Sequence, residues 1–247
     1  MRIAALSDIH SNVFALKAVL ADVEKQGADL LINLGDIFYG PIAPRATYEL
    51  LRQYDVVTIS GNQDRLISET SPEDINANPT LGFVADALGP EPVEWLKSLP
   101  FDKQLTEDVY LCHGTPADDA EYLLEDIASG YPLLRPEKKI IEMLSGQSSE
   151  VTICGHSHIP RTVSLAKGSL IVNPGSVGLP AYTDDEPVVH SMENYCPHAS
   201  YAMLEKDISG WFVQHMKVPY DFQRAAEECT KQQRRDWAHF LTTGRGC

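Results

Sequence analysis

Residues 1–36 read MRIAALSDIHSNVFALKAVLADVEKQGADLLINLGD, and their pattern decides the fold class. Arg2 to Leu6 is a short apolar run suited to a buried strand, and it breaks at Ser7-Asp8. Asn12 stands as an N-cap before Val13, Leu16, Val19, Leu20 and Val23, which recur at helical spacing until Gly27. Asp29 to Leu34 is a second apolar run, stopping at Gly35-Asp36. Strand, helix and strand in that order predict a parallel pair joined by a right-handed crossover.

The pattern continues outward from this unit. Arg45 to Gln53 reads as a helix and Val56 to Ile59 as a third strand, ending at Gly61-Asn62. Asp64 to Pro100 is helical in character, broken at Pro72, Pro79, Gly89 and Pro92. Gln104-Leu105 and Val109 to Cys112 read as a short strand pair ending at His113-Gly114, followed by a helix from Pro136 to Leu144. Val151 to Cys154 is a strand ending at Gly155-His156, and Thr162 to Leu165 with Leu170 to Val172 forms a hairpin. Tyr201 to Leu204 and Trp211 to Val218 make a last strand pair, and a polar helical tail begins at Tyr220. Alternation followed by antiparallel pairs predicts a mixed α/β fold with more than one sheet. No linker or repeat interrupts it, so residues 1–247 are expected to form a single domain with a helical tail over about 220–247.

Composition narrows the function classes. Hydrophobic residues make up 43% and charged residues 22% of the 247, an ordinary globular balance. No apolar run approaches the roughly 20 residues that span a bilayer, and the N-terminal run is better used as a strand than as a signal peptide. The expectation is a cytoplasmic protein with no membrane partner. A net charge of −15 disfavours long nucleic acids. It leaves a small phosphorylated substrate open, because bound divalent cations reverse the sign of the local field. The five cysteines are odd in number and form no C-x-x-C pair, so neither a disulfide framework nor a zinc ribbon is indicated. Cys112 and Cys154 close apolar runs and read as small buried hydrophobes.

Five strands in this reading end at residues that can ligate a metal: Asp8 and His10, Asp36, Asn62, His113, and His156 with His158. Ligands at the carboxyl ends of strands in an α/β sheet face a common crevice. Singly each is weak, since a histidine after a strand is more often a polar cap and Asn62 alone is a turn residue. Together and in order they have no cheap structural explanation. Carboxylate, imidazole and amide donors without thiolate suit Mn²⁺, Fe²⁺ or Zn²⁺ rather than a structural zinc site.

These motifs resemble those of the calcineurin-like metallophosphoesterase superfamily, most closely its small prokaryotic phosphodiesterases. The family pattern D-x-H, G-D, G-N-H-D/E, H, G-H-x-H appears as Asp8-Ile9-His10, Gly35-Asp36, Gly61-Asn62-Gln63-Asp64, His113 and Gly155-His156-Ser157-His158. The resemblance extends to Asn173 to Gly178 and Ser200-Tyr201-Ala202. It implies a four-layer αββα fold, with two mixed β-sheets face to face and flanked by helices. It implies two divalent metal ions, Mn²⁺ first, with Fe²⁺, Zn²⁺ or Mg²⁺ as alternatives. Asp8, His10, Asp36 and His158 would hold one ion; Asp36, Asn62, His113 and His156 would hold the other, with Asp36 as the bridge. Asp36, Asn62 and His113 would be catalytic together with a metal-bridging hydroxide, and Asn62 and Gln63 would touch the substrate. The activity implied is hydrolysis of a small phosphodiester or phosphomonoester. A metal-binding scaffold of the same fold and a nuclease are the alternatives; retention of all seven ligand types argues against the first, and the acidic charge against the second.

One position departs from the pattern: Gln63 stands where the family has a histidine that contacts phosphate and protonates the leaving group. Glutamine donates hydrogen bonds but is no acid near pH 7. General acid catalysis is worth about 10²–10⁴-fold, so the leaving-group step is where this chain should differ. His198 could compensate or be a surface loop residue, and Asp64 could orient its neighbours or cap a helix. Arg65 could reach a phosphate or be a solvated surface residue, and Gln232 to Arg235 could be an exposed helix face or contact another subunit. Asn173 to Gly178 could offer N–H groups to a phosphate or form a tight turn beside the site.

Overall fold

The computed structural model describes residues 1–247, the side chains of residues 72 and 76 excepted. The N-terminal unit forms as the periodicity predicts. Strand β1 (Arg2–Leu6) leads into α1 (Val13–Gln26), whose cap Asn12 accepts the Ala15 N–H at 3.1 Å. Gly27 ends α1 in the left-handed region at φ 72°, which costs a glycine nothing. Strand β2 (Leu30–Asn33) then pairs parallel to β1, and β3 (Val56–Thr58) pairs parallel to β2.

Helices α2 (Pro44–Leu51), α3 (Asn62–Glu69), α4 (Pro72–Ala77), α5 (Pro79–Leu88) and α6 (Pro90–Lys97) follow; α2 precedes β3 and the others succeed it. Four of these five begin with proline, whose fixed φ suits the first helical turn. The next strands are β4 (Lys103–Gln104), β5 (Val109–Leu111), β6 (Glu125–Asp126) and β7 (Leu133–Leu134). After α7 (Glu137–Met143) come β8 (Val151–Ile153), β9 (Arg161–Ser164), β10 (Leu170–Asn173), β11 (Ala181–Asp184) and β12 (His190–Glu193). The chain closes with β13 (Ala199–Asp207), β14 (Gly210–Val218), α8 (Phe222–Lys231) and α9 (Arg235–Thr243).

Two five-stranded mixed sheets result, in the orders β14-β13-β1-β2-β3 and β4-β5-β8-β10-β9. Each contains a parallel trio, β1-β2-β3 in one and β5-β8-β10 in the other. The inner faces meet in an apolar layer of Ile3, Ala5, Ile32, Leu34, Val109, Leu111, Val151, Ile153 and Leu204, each buried. Alternation explains it: Ile3 and Ala5 point inward, while Ala4 and Leu6 point to α1 and its neighbours on the outer face. The outer face of the second sheet packs Tyr110, Cys112 and Ile171 on Ile140 and Met143 of α7. Helix, sheet, sheet and helix layers therefore stack in the order expected. Each buried Leu or Ile contributes about 1.5–3 kcal/mol, so the layer between the sheets anchors the strand ends that carry the site.

Two features differ from the reading of the sequence. The β6–β7 and β11–β12 hairpins are strands too short or too polar to show period-2 alternation. The tail is not merely an exposed helix. Helices α8 and α9 bury Ala225, Cys229, Trp237, Phe240 and Leu241 against Ile42, Leu179 and Ala181. Its buried face is spread over two short helices with a break at 232–234, which hides the period.

Candidate metal centre

The loops after the parallel strands are stitched together by main-chain bonds. Asp8 N–H donates to Gly35 O and His10 N–H to Asp36 O, both at 3.0 Å, and Gly155 N–H donates to His113 O at 2.7 Å. Asp8, His10, Asp36, His156 and His158 all have φ between 47° and 67°. Left-handed backbone at non-glycine residues costs of order 1–3 kcal/mol each, so its concentration here marks a place where side-chain aim outranks backbone comfort. Gly61 makes the approach of α3 possible, because a Cβ there would collide with Asp36 Oδ1.

The structure brings all seven residues named from the sequence into two adjoining groups. Asp8, His10 and His158 offer atoms within 4.8 Å of one another, as do Asp36, His113 and His156. Asn62 joins the second group, its Oδ1 lying 3.1 Å from His113 Nε2. Unlike the others it belongs to the first turn of α3 rather than to a strand end. Asp36 lies between the groups: its Oδ2 is 3.9 Å from His10 Nε2 and 3.5 Å from His113 Nε2.

Hydrogen bonds on the far side of each ring set the tautomers. Nδ1 of His10, His113 and His158 donates to the carbonyls of Tyr39, Leu34 and Leu179 at 2.9, 2.8 and 2.7 Å. His156 is reversed, with Nε2 donating to Ala120 O at 2.9 Å. Every neutral ring therefore turns a lone pair inward, the arrangement in which an outer partner fixes a metal-ligating imidazole. Tyr122 stacks on His156 at 4.6 Å, Tyr182 packs edge-on against His158 at 4.6 Å, and Trp237 packs edge-on against His10 at 5.7 Å.

Divalent cations fit this donor set. Both oxygens of Asp8, wholly buried, lack a hydrogen-bond donor. His158 Nε2 faces Asp8 Oδ1 at 3.3 Å and His10 Nε2 at 3.1 Å, so three acceptors converge with no proton among them once the rings are neutral. Without a cation the electrostatics are displaced. Burial opposes charge on His113, yet Asp36 and Asp8 hold its imidazolium up to about 10. Burial, and then His158, pushes His10 down to about 4; burial, and then His113, does the same to His156. Against its own burial, Asp8 is held below the usual carboxylate range by His158, His113 and His10.

Residues around the centre resolve the remaining expectations. Asp64 caps α3: wholly buried, it accepts the N–H of the N-cap Gly61 at 3.0 Å, and also those of Asp36 and Ile37 at 2.8 and 2.9 Å. Arg65 is not simply solvated. It clamps buried Asp119 through two bonds of 2.9 and 2.6 Å, fastening α3 to the loop that carries Ala120. The 173–178 segment is a structural turn, since Val177 N–H donates to Ser7 O, Gly178 N–H to Asp8 O, and Gly175 N–H to Asn173 Oδ1. His198 does not line the cleft that contains the centre, whereas Gln63 does. That cleft, of about 260 Å³, is also walled by Tyr39, Tyr182, Arg234 and Trp237. Of residues 232–235, read from the sequence as an exposed helix face, Gln232, Gln233 and Arg235 are exposed, but 232–234 form the break between α8 and α9 and Arg234 turns to the cleft.

Comparison with known proteins agrees with this fold. Residues 1–194 match the model of the calcineurin-like phosphoesterase superfamily domain, and the chain belongs to that superfamily. An uncharacterized protein of Methanocaldococcus jannaschii is 27% identical over 95% of this chain and 94% of its own length. The crystal structure of a metallophosphoesterase from Sphaerobacter thermophilus superposes with a TM-score of 0.75 at 23% identity, covering 99% of this chain and 100% of that one. A structure provisionally described as a diadenosine tetraphosphatase gives 0.55 at 15% identity, over 88% of this chain and 94% of that one.

Proposed function

We propose that this protein is a dinuclear metal-dependent hydrolase of a small phosphodiester or phosphomonoester. The observation that carries the reading is the position of Asp36 Oδ2 between two groups of inward-facing lone pairs. Asp8, His10, Asp36 and His158 would hold one ion, and Asp36, Asn62, His113 and His156 the other. Divalent ions there would supply Lewis acidity toward a phosphoryl oxygen and lower the pKa of water toward neutrality. An oxygen and nitrogen donor set suits Mn²⁺ first, with Fe²⁺, Zn²⁺ or Mg²⁺ as alternatives.

The chain's own groups do the positioning. Asp36 is anchored from both sides, by the Gln63 N–H on Oδ1 at 2.8 Å and by Asp64 on its own N–H. Asn62 and Gln63 line the cleft where a substrate would lie. Gln63 Oε1 is buried and unpartnered, and can accept a hydrogen bond from a substrate but cannot supply a proton. This favours substrates whose leaving group departs without protonation, hence activated diesters over simple alkyl esters. A scaffold role would not need all seven ligand-type side chains aimed inward, and the charge of −15 weighs against a nuclease.

We read residues 1–247 as one working unit, since Arg234 and α9 wall the cleft. Among the described residues no helix is long and apolar enough to cross a membrane. The unpaired cysteines suit the reducing cytoplasm, which we take as its location. Hydrolysis of bis-p-nitrophenyl phosphate and p-nitrophenyl phosphate by metal-stripped protein, with each metal restored in turn, tests the function. Turnover that needs no added metal, or none with any metal, would overturn it.

A further inference from the structure

The cleft over the candidate metal ligands holds one cationic side chain among the described residues, Arg234, and that residue comes from the C-terminal helical pair rather than from the motifs. Its guanidinium is fixed on three sides. Nε and Nη2 donate to the Asp236 carboxylate at 2.9 and 2.6 Å, Nη1 donates to Thr80 Oγ1 at 2.5 Å, and the group lies 5.4 Å from the Trp237 ring centroid. Trp237 in turn packs against His10, so the arginine is tied to the first metal group by direct packing. A guanidinium carries five N–H donors, and the bonds to Asp236 and Thr80 leave one on each terminal nitrogen. The side chain remains 30% exposed, and that exposure borders the cleft.

We infer that Arg234 is a substrate-binding residue, whose free N–H groups bind a non-bridging oxygen of the substrate's phosphoryl group. The inference rests on the phosphoesterase reading above and adds to it a contact from outside the motif set. The surroundings favour an anion at this point over a structural role alone. Asp236 and Thr80 remove the rotamer freedom that an arginine otherwise loses on binding, so the fork is preorganised for a tetrahedral oxyanion. Gln63, across the same cleft, is uncharged, which leaves Arg234 as the one permanent side-chain cation for the phosphoryl oxygens that bound metal leaves uncovered. The pairing with Asp236 also sets a limit. The outer cleft, with Asp184 and Asp236 against one arginine, has no surplus cation for a second phosphate, so the ligand class is a single phosphoryl group bearing an uncharged substituent.

The test is binding of inorganic phosphate to manganese-loaded protein by titration calorimetry, comparing wild type, Arg234→Lys and Arg234→Met. Removing a charge-assisted donor weakens binding about 10- to 100-fold. The expected result is a loss of that size in Arg234→Met, a smaller loss in Arg234→Lys, and unchanged manganese content per chain in both. Guanidinium ion added to Arg234→Ala should restore part of the phosphate affinity, a response that an arginine acting only to pin α9 would not give. Phosphate affinity in Arg234→Met within twofold of wild type would overturn the inference. So would a loss that follows loss of manganese and is not restored by guanidinium. Turnover of bis-p-nitrophenyl phosphate by wild type is scored separately: its absence refutes the phosphoesterase reading, while the phosphate measurement still decides the role of Arg234.

Discussion

The main-chain N–H of Gln63 donates to Asp36 Oδ1 at 2.8 Å, and the other oxygen of that carboxylate is left between His10 and His113. Position 63 therefore serves the centre through its backbone whatever its side chain. The departure from the family motif alters what the substrate meets without disturbing the residue proposed to join two ions.

Asp36→Asn should weaken both metal sites at once, because the shared ligand loses its charge. Wild type should hold two Mn²⁺ per chain with an exchange-coupled electron paramagnetic resonance spectrum, and the variant should lose the coupling. A variant that keeps both ions and their coupling would exclude the bridging role.

Metal uptake should release protons in a defined pH window. At pH 7 the metal-free protein carries His113 as an imidazolium, since Asp36 and Asp8 hold it to about 10 against burial. His10 and His156, pushed down to about 4 by burial, are already neutral. Cations must displace the His113 proton, so affinity should climb as pH rises from 7 to 10. Stability of the metal-free fold runs the other way. The raised pKa contributes fully below the unfolded value of about 6.5 and is lost as pH rises through about 10. Calorimetry in buffers of different ionisation enthalpy measures the release; no proton released at pH 7 would contradict the assignment.

Gln63→His should raise hydrolysis of alkyl phosphodiesters more than that of nitrophenyl esters, whose leaving groups need no proton. General acid catalysis sets the ceiling at about 10²–10⁴-fold. An equal change on both substrate types would remove the leaving-group argument.

Asp64→Asn should destabilise the fold by about 1–3 kcal/mol, since an amide cannot accept all three of the N–H groups that Asp64 now satisfies, and one buried donor is left opposed. Chemical denaturation reads the loss. An unchanged midpoint would mean that the loop carrying Asp36 is held by other contacts.

Much of this was legible in the sequence because the motifs and the fold obey one rule: a buried parallel strand ends where a ligand begins. The apolar runs before Asp8, Asp36, His113 and His156 announce both at once. What stayed hidden lacked periodicity. The β11–β12 hairpin has four-residue strands, and its inward Tyr182 is indistinguishable in sequence from an outward one. Arg234 lies in the break between α8 and α9, where no helical period reaches it, and its place over the centre depends on the packing of Trp237 and Phe240 against Ile42, Leu179 and Ala181, distant in the sequence. Asn62 was placed by its motif, although its position at the start of α3 was not foreseen.

The most direct test of the central claim is hydrolysis of bis-p-nitrophenyl phosphate by metal-stripped protein titrated with Mn²⁺, wild type against Asp36→Asn. Activity in the wild type should rise until two equivalents per chain are bound, and the variant should stay inactive throughout. Full activity at one equivalent, activity without metal, or wild-type turnover in Asp36→Asn would contradict a dinuclear centre joined by Asp36.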